Sequence, residues 1–244
     1  MTTSTLPIIL CGKSGKMGQA IVSAVQSQPG MEIVGATSRH EPLAGILLSL
    51  PASLTATSVI VDFSHTSLTT SHLSEAIKHK IPYVLGCTGL SPNAKAALQD
   101  AASHIPVFYA PNFSLGAAVM KWLAVRASTL LPTADIVIQD IHHKEKKDAP
   151  SGTALGLKEA MLETLRLASN GGQPPENAIQ TVSVRAGTIF GEHTVSFMLH
   201  GESLEVTHKA ESRSIFAHGA LKAAQFIKVH PPGLYGMENM LGIR

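Results

Sequence analysis

The sequence is poor in cysteine, in aromatic residues and in charge. Its 244 residues include 2 cysteines, Cys11 and Cys87, so no disulfide framework is predicted and two reduced thiols are expected. Aromatic residues make up 5% and charged residues 15%, whereas hydrophobic residues make up 44%, which suffices for a core of small aliphatic side chains. The net charge of +2 comes without a basic tail, and this argues against nucleic acid as a partner.

Long apolar runs are also missing. No segment approaches the roughly 20 apolar residues of a membrane-spanning helix, so no membrane span is predicted. Residues 1–5 carry no basic side chain and are followed by only a short apolar run, which argues against a signal peptide. We therefore expect a cytoplasmic protein that associates with neither membrane nor nucleic acid.

Short apolar segments alternate with helical patterns over the first half of the chain. Buried strands are predicted at residues 6–11, 31–36, 58–63, 83–85 and 107–110, and helices at 17–26, 68–79 and 93–103. Strands of this kind, separated by helices, indicate a parallel sheet that is covered on both faces. The expected fold class is α/β.

The pattern changes after Asn112. Helices are predicted at residues 115–130, 155–167 and 216–229, a strand at 134–141, and a loop at 169–175. Three segments that alternate apolar with polar residues, at 179–185, 193–200 and 203–209, predict a meander in a mixed or antiparallel sheet with one exposed face. The chain is thus expected to contain a second region built on a different sheet.

A glycine-rich turn lies where the first strand meets the first helix. It reads Gly12-Lys13-Ser14-Gly15-Lys16-Met17-Gly18, so its spacing departs from the strict G-x-G-x-x-G of dinucleotide-binding βαβ units while its position matches. Gly12 and Gly15 are predicted to let the backbone approach a pyrophosphate, and Gly18 to let the helix pack on the strand. A plain connecting turn is the alternative. No G-K-[ST] follows, which excludes a P-loop.

The end of the second predicted strand indicates which nicotinamide cofactor is used. An acidic residue there holds the ribose 2′-hydroxyl, and an arginine accommodates a 2′-phosphate. The chain has Arg39 at this point and no acid before Glu41. We expect NADPH to be preferred and NADH to be tolerated; the alternative is that Arg39 is an ordinary surface side chain.

Two loops follow later strands of the predicted parallel sheet. They read Gly86-Cys87-Thr88-Gly89 and Ala110-Pro111-Asn112-Phe113. Ligands of such sheets bind outside the carboxyl ends of the strands. Both loops are therefore candidates to line a nicotinamide pocket, and simple connecting turns are the alternative.

The most informative stretch is residues 140–154, DIHHKEKKDAPSGTA. Lysines supply positive charge, histidines titrate near neutral pH, and a helix N-terminus presents backbone amides to an anion. Because Pro150 disfavours helix at Ala149, we expect Ser151 to be the N-cap of the following helix. This combination suits a small anionic substrate that must receive a proton; a solvated polar loop is the alternative.

A metal site is not predicted in this stretch. His142 and His143 are adjacent and are expected to point to opposite faces of a strand. No cysteine or carboxylate was identified at ligand spacing, and the neighbouring lysines repel a cation.

Taken together, these motifs resemble those of the 4-hydroxy-tetrahydrodipicolinate reductase (dihydrodipicolinate reductase) family. The family signature, E-x-H-H-x-x-K-x-D-A-P-S-G-T-A, is matched by residues 140–154 except that Asp140 replaces the leading glutamate. Further matches include residues 61–64, 184–187, 191–194 and 205–210. The resemblance implies NAD(P)H-dependent reduction of the dehydrated form of 4-hydroxy-tetrahydrodipicolinate to tetrahydrodipicolinate, in lysine and diaminopimelate biosynthesis.

The resemblance also implies an architecture. Residues 1–113 plus 217–244 are expected to form a Rossmann-like dinucleotide-binding domain, completed by the C-terminal helix. Residues 114–216 are expected to form an α+β domain on a mixed sheet, which binds a small dicarboxylate substrate and builds a homotetramer.

Roles for individual residues follow from the same resemblance. It assigns His142 as the catalytic acid/base, Lys146 as the proton donor, and His143, Gly152 and Thr153 as substrate-binding residues. The cofactor-binding positions that it implies are Gly12, Lys13, Ser14, Gly15, Lys16, Met17, Gly86, Cys87, Thr88, Ala110, Pro111, Asn112 and Phe113.

Three departures from the family pattern leave the choice of cofactor open. Ser14 replaces a usual glycine, Cys87 a usual threonine, and Ser38 stands where NADH-using members often carry an acid. Two other functions remain as alternatives: a non-catalytic NADP(H)-sensing protein, and a dehydrogenase of the same fold for another small dicarboxylate.

Overall fold

The computed structural model describes residues 5–38, 41–168 and 178–243, and it divides into two units. Unit 1 comprises Met1–Phe113 and Ser214–Arg244, and unit 2 comprises Ser114–Arg213. The chain begins with β1 (Leu6–Cys11), α1 (Lys16–Ser27), β2 (Met31–Ala36), α2 (Leu43–Ser49), α3 (Ala52–Thr57), β3 (Val59–Asp62), α4 (Thr69–His79), β4 (Tyr83–Leu85), α5 (Pro92–Ala102) and β5 (Pro106–Tyr109). Unit 2 contributes α6 (Leu115–Leu130), β6 (Asp135–His142), α7 (Gly152–Ala168), β7 (Ile179–Arg185), β8 (Gly191–Leu199) and β9 (Glu202–Ala210). The chain returns to unit 1 as α8 (Ser214–Ile227), β10 (Gly233–Tyr235) and α9 (Met237–Leu241).

Unit 1 is built on a six-stranded parallel sheet in the order β10-β5-β4-β3-β1-β2. Its central strands are apolar on both faces, and all four residues of β3 are buried, because helices cover the sheet on either side. The strand ends are aligned: Cys11 pairs with Asp62, and Asp62 with Leu85. This alignment brings the turns that follow β1, β3 and β4 to one edge of the sheet.

The C-terminal helix α8 belongs to unit 1. Most residues of its buried face are alanine or glycine, and a Cβ at Gly219 would lie 1.8 Å from the carbonyl oxygen of Phe113. Glycine at this position therefore lets α8 approach the backbone of the loop after β5. The edge strand β10 and the short helices α2, α3 and α9 were not predicted, since each is too brief to show a clear periodicity.

Unit 2 is a four-stranded mixed sheet with two helices packed on it. Apolar side chains of α6, α7 and the inner sheet face form its core, including Met120, Met161, Ile138 and Phe197. The predicted fold class, an α/β protein with a Rossmann-like domain and an α+β domain on a mixed sheet, is confirmed. No helix among the described residues has both the length and the apolar character needed to cross a bilayer.

The predicted meander is wrong in one respect. β7 lies next to β6 and parallel to it, not next to β8, so the sheet order is β7-β6-β8-β9. A parallel pair needs a long crossover, and α7 forms part of the connection between β6 and β7. The loop predicted at residues 169–175 lies outside the described residues.

Candidate functional site

The glycine turn after β1 is shaped by close backbone contacts. Gly12 has φ +87°, and a Cβ there would lie 2.7 Å from the carbonyl oxygen of Phe63. A Cβ at Gly18 would lie 2.2 Å from the carbonyl oxygen of Gly12, so Gly18 packs on the turn itself. The prediction that it packs on the strand was wrong. A Cβ at Gly15 would meet one atom, at 3.4 Å.

This turn is able to accept a phosphate group. Helix α1 begins at Lys16 with Gly15 as its N-cap, and no side chain caps its first turn. Lys13, Ser14 and Lys16 are exposed beside it, and Met17 is half-buried. Backbone amides at an uncapped helix start, with two lysines nearby, suit the pyrophosphate of a dinucleotide.

Thr37, the residue directly after β2, holds the turn in place. Its hydroxyl accepts a hydrogen bond from the Gly12 amide at 3.2 Å, and its own amide donates to the carbonyl oxygen of Leu10 at 2.9 Å. The side chain is buried. Sequence reasoning missed this residue and turned instead to Arg39, which lies outside the described residues.

The loops after β4 and β5 present mainly backbone at the edge of the sheet. Cys87 is buried, its thiol donates to the carbonyl oxygen of Ser64 at 3.2 Å, and burial raises the pKa of Cys87 to about 12. Ala110 and Phe113 are buried as well. Exposed side chains are those of Thr88 and Pro111, while Gly86 and Asn112 are half-buried. A cofactor at this edge would therefore meet Cys87, Ala110 and Phe113 chiefly through their backbone.

Gly86 is glycine because of Phe63. A Cβ at this position would lie 2.1 Å from the Phe63 ring, which in turn packs against Phe113 with centroids 5.3 Å apart. The Gly86 amide donates to the carbonyl oxygen of Asp62 at 2.8 Å. The loop is thus fixed to the end of β3.

In unit 2, the buried carboxylate of Asp140 organises the histidine–lysine segment. The register of β6 places Asp140 between Ser183 of β7 and His193 of β8. Three donors bond its Oδ2: the amide of Ser151 at 2.8 Å, the hydroxyl of Ser183 at 3.2 Å and the guanidinium of Arg185 at 2.9 Å. Burial opposes ionisation of Asp140, but the hydrogen bonds from Ser151 and Arg185 outweigh it and hold its pKa well below the usual range.

Two imidazoles face the other oxygen of Asp140. Nδ1 of His142 lies 3.0 Å from Oδ1, and Nε2 of His193 lies 3.2 Å from it. Burial lowers the pKa of His142, and it lowers that of His193 to about 4. A Cβ at Gly191 would lie 2.9 Å from Nε2 of His142, so glycine makes room for this ring. At neutral pH, His193 is therefore uncharged.

The start of α7 has the predicted cap. Ser151 is buried, and its hydroxyl oxygen accepts from the Ala154 amide at 3.2 Å. Gly152 is exposed, and a Cβ there would meet nothing within 4 Å, while Thr153 is half-buried. Nothing in the described chain demands glycine at Gly152, so any need for it would arise from a ligand.

Lys146 lies in the loop between β6 and α7. Its Nζ is 2.9 Å from Oδ1 of Asp148, and this bond lowers the pKa of that carboxyl. The Lys146 amide donates to the carbonyl oxygen of His143 at 3.1 Å, and the His143 amide to that of Ile189 at 2.7 Å. The strand ends at His142, so His143 belongs to this loop. The prediction that the two histidines lie on opposite faces of one strand was wrong. Lys146 and His143 are half-buried.

One premise of the metal prediction is wrong. Asp140, two residues before His142, is a carboxylate at ligand spacing, and with His193 the three present possible ligand atoms within 4.8 Å of one another. The guanidinium of Arg185, however, already bonds Asp140 and repels a cation. We keep the prediction that this cluster serves without a metal.

The comparisons with known proteins agree with this geometry. Residues 6–113 match the family model for the N-terminus of dihydrodipicolinate reductase, and residues 116–241 match the model for its C-terminus. The 4-hydroxy-tetrahydrodipicolinate reductase of Laribacter hongkongensis is 37% identical over 99% of this chain and 100% of its own length. That of Akkermansia muciniphila is 38% identical over 98% of both chains.

The chain belongs to the dihydrodipicolinate reductase family.

A solved structure supports the fold independently. Dipicolinate-bound dihydrodipicolinate reductase from Paenisporosarcina sp. TG-14 has a TM-score of 0.76 with 24% identity, and the match covers 96% of this chain and 99% of that one. A second solved structure, the DAP dehydrogenase of C. glutamicum, has a TM-score of 0.57 with 12% identity, and the match covers 96% of this chain and 93% of that one. The family models and the curated relatives confirm the resemblance stated from sequence.

For this dihydrodipicolinate reductase family member, sequence reasoning gave no role to the partners of Asp140. Arg185 and His193 come from β7 and β8, far along the chain from the signature segment. Both lie in segments that match the family, at residues 184–187 and 191–194. That match was the available signal, but the contact itself depends on the order of strands in the sheet.

Proposed function

We propose that this chain reduces the dehydrated form of 4-hydroxy-tetrahydrodipicolinate to tetrahydrodipicolinate, with NAD(P)H as reductant, through the segment from Asp140 to Thr153. Family membership carries the enzyme class and the reaction in lysine and diaminopimelate biosynthesis, and both predictions are confirmed at that level. The residue roles are our proposal. The observation that carries them is the cluster of cationic and donor groups beside His142 in unit 2.

The substrate is a dicarboxylate, and the segment offers two places for a carboxylate. One is the start of α7, where Gly152 leaves open space and the amides of Gly152 and Thr153 lie just after the Ser151 cap. The other is beside Lys146 and His143. A solved relative binds dipicolinate, which is itself a dicarboxylate.

The reaction also needs a proton. As hydride adds, negative charge develops on the substrate, and a positioned acid neutralises it. Lys146 and His142 are the two groups of the signature segment that are able to do so. Burial lowers the pKa of His142, which disfavours its protonated form.

The edge of the unit 1 sheet is proposed to hold the cofactor. Gly12 would let backbone approach the pyrophosphate, the amides at Lys16 and Met17 would bond it, and Lys13 would neutralise charge. The loops at Gly86–Thr88 and Ala110–Phe113 would contact the nicotinamide side. When bound, the cofactor supplies the hydride.

We further propose that NADPH is preferred over NADH. Arg39 would hold the 2′-phosphate, and Ser38 leaves no acid to repel it. Initial rates with each cofactor test this: Arg39→Ala should raise KM for NADPH by roughly 10–100-fold, the worth of a charge-assisted hydrogen bond, and leave KM for NADH nearly unchanged. Equal effects on both cofactors would remove Arg39 from the site.

A homotetramer in the cytoplasm is the remaining proposal. Val182 and Val184 of β7 are exposed on the sheet face opposite the unit 2 core, since alternate residues of a strand point to opposite sides. Burial of such apolar side chains favours association of copies. Sedimentation of the purified protein at several concentrations checks the oligomeric state.

Turnover of the substrate generated in situ by its synthase tests the function. We expect oxidation of NADPH that depends on that substrate. A non-catalytic NADP(H)-sensing protein would bind the cofactor without turnover, and a dehydrogenase for another dicarboxylate would leave this substrate unreduced. Either result would overturn the proposal.

A further inference from the structure

Asp140 is the one carboxylate among the described residues that lies between two buried imidazoles of unit 2. Its Oδ2 is fully engaged by the donors of Ser151, Ser183 and Arg185. Its Oδ1 is left facing Nδ1 of His142 and Nε2 of His193. Oδ1 of Asp140 and Nδ1 of His142 are both buried without a hydrogen bond of standard geometry among the described residues, yet the two atoms lie 3.0 Å apart. Each is the natural partner of the other.

The direction of these contacts follows from the chemistry of a carboxylate. An ionised carboxylate oxygen only accepts, so a ring nitrogen that bonds it must carry a hydrogen. Nε2 of His193 also lies 3.1 Å from the hydroxyl oxygen of Ser151, which accepts from the Ala154 amide as well. Nδ1 of His142 and Nε2 of His193 therefore each carry a hydrogen, because an unprotonated nitrogen this close to Oδ1 of Asp140 would set two lone pairs against each other.

A neutral imidazole has one donor and one acceptor nitrogen. If Nδ1 of His142 carries the hydrogen, Nε2 is the acceptor. We infer that Asp140 is a positioning residue that holds His142 in the Nδ1–H form, so that His142 presents Nε2 as a hydrogen-bond acceptor. This inference rests on the proposed function, and it leaves the proton to Lys146, the donor that the family resemblance implies.

The proton step is then balanced. When bound, the cofactor would supply the hydride. An N–H bond of the Lys146 ammonium then breaks, with its electron pair staying on Nζ. The proton moves to the substrate, where the electron pair developed by hydride addition forms the new bond. Lys146 is left as a neutral amine, which regains a proton from water before the next turnover.

Several charged or titratable groups face His142, and they act in opposite directions. Burial lowers its pKa, and the negative charge of Asp140 on β6 raises it. The other groups around it are Lys146 and Arg185, which lower the pKa, Asp148, which raises it, and the uncharged ring of His193. Replacing Asp140 by asparagine removes the largest raising influence and leaves Arg185 without its partner, so the pKa of His142 must fall further.

Nitrogen NMR of histidine-labelled protein reads the tautomer directly. The signals of His142 are identified by their loss in His142→Gln. We expect Nδ1 of His142 to be protonated and Nε2 unprotonated in the unsubstituted protein at pH 7.5. In Asp140→Asn the amide group is able to donate, so His142 should move towards the Nε2–H form. An Nε2–H form in the unsubstituted protein would overturn the inference, whatever the catalytic activity.

The pH profile of kcat/KM gives a second reading. If activity requires neutral His142, it is lost as pH falls through the pKa of that residue, and Asp140→Asn should shift this acidic limb to lower pH. The same variant should lose about 10²–10⁴-fold in kcat, by analogy with loss of the tautomer-setting aspartate in a serine-protease triad. Ser183→Ala removes one bond to the same carboxylate without touching an imidazole, so its limb should not move. Asp140→Glu keeps the carboxylate and should restore the limb.

The two proposals fail separately. If the unsubstituted protein does not reduce the substrate, the proposed function fails while the NMR measurement still decides the tautomer. If it turns over but Asp140→Asn keeps the acidic limb and kcat of the unsubstituted protein, the positioning role of Asp140 fails and the function stands. Circular dichroism of Asp140→Asn checks that the variant is folded, and the NMR result on unsubstituted protein needs no variant of Asp140.

Discussion

The buried aspartates of the two units, Asp62 and Asp140, have similar surroundings and different neighbours. Both are fully buried, and both have a histidine nitrogen close to the carboxylate: Nδ1 of His72 at 2.8 Å from Asp62, and Nδ1 of His142 at 3.0 Å from Asp140. In both cases burial opposes ionisation, and hydrogen bonds outweigh it and lower the pKa. Each also forms part of a group of three possible metal ligands.

The two aspartates differ in their remaining partners, and each aspartate with its partners is called here the Asp62 set or the Asp140 set. The oxygens of Asp62 accept from His72, from the Tyr83 hydroxyl and from the Ser64 amide, so this carboxylate ties α4, β4 and the turn after β3 together inside unit 1. Asp140 is paired with the cation of Arg185 and lies beside a loop with a half-buried lysine and an open helix start.

The comparison teaches that a buried Asp–His pair is not in itself a sign of catalysis. Such a pair serves the scaffold when all its partners are internal, as with Asp62. It is a candidate for chemistry when its histidine lies next to groups that a ligand can reach, as with Asp140. Changes at the two sets should therefore affect different observables: unfolding at Asp62 and turnover at Asp140.

The largest effect is expected for Lys146→Ala. Removing the proposed proton donor should lower kcat by about 10²–10⁴-fold, the usual worth of general acid catalysis, and leave the thermal midpoint of unfolding nearly unchanged. The measurement is steady-state turnover of the synthase-generated substrate. Lys147→Ala is the matched control, because Lys147 is an exposed lysine of the same loop. Unchanged kcat in Lys146→Ala would place the proton donor elsewhere.

For His72→Leu we expect a loss of stability with little change in kcat. This change removes a hydrogen bond to a buried carboxylate, which costs about 1.5–3 kcal/mol of unfolding free energy. Denaturant titration measures the loss, and kcat of the folded protein should stay within about twofold. His79→Leu is a useful control, because His79 lies on the same helix but contacts the half-buried Glu75, at 3.6 Å. If His72→Leu abolished turnover without loss of stability, the contrast between the two sets would collapse.

A smaller effect, on KM for the substrate, is expected for Gly152→Val. A Cβ at this position meets nothing within 4 Å, so we expect the effect of the side chain to be confined to the ligand. Losing one contact to a charged carboxylate costs about 1.5–3 kcal/mol, or roughly 10–100-fold in KM for the substrate, with KM for NADPH unchanged. Gly156→Val, one turn further along α7 and equally free of neighbours within 4 Å, should leave both KM values near those of the unsubstituted enzyme. Equal effects at the two glycines would mean that helix propensity, not the substrate, is responsible.

Local features of the fold were predictable because their causes are local. The bounds of α6 match the predicted residues 115–130, since its apolar residues recur at helical spacing and Ser114 caps it, accepting from the Ala117 amide. Ser151 was identified as a cap for the same reason. The glycine turn was recognised by its place between a strand and a helix.

Long-range contacts were not predictable in the same way. The parallel pairing of β7 with β6 decides that Ser183 and Arg185 meet Asp140, and an alternating pattern says which residues share a face but not which strand is the neighbour. The roles of Arg185 and His193 therefore followed from sheet order. The partner of Gly18 was mistaken because the turn folds back over the helix start, which spacing does not reveal.

The smallest effect is expected at Thr37, where unit 1 supports the cofactor turn. Its hydroxyl accepts from the Gly12 amide, so Thr37→Val keeps the shape of the side chain and leaves that amide without this partner. Because the amide lies near the edge of the turn, part of its loss is made up by water, and we expect about 1 kcal/mol, or roughly fivefold in KM for NADPH. KM for the substrate should not change, because the hydroxyl does not belong to the Asp140 set. Thr70→Val, at an exposed threonine of α4 outside the proposed cofactor-binding positions, provides a comparison. If Thr37→Val instead lowered kcat with both KM values unchanged, the turn would act on the chemical step, and the division of labour between the two sets would be wrong.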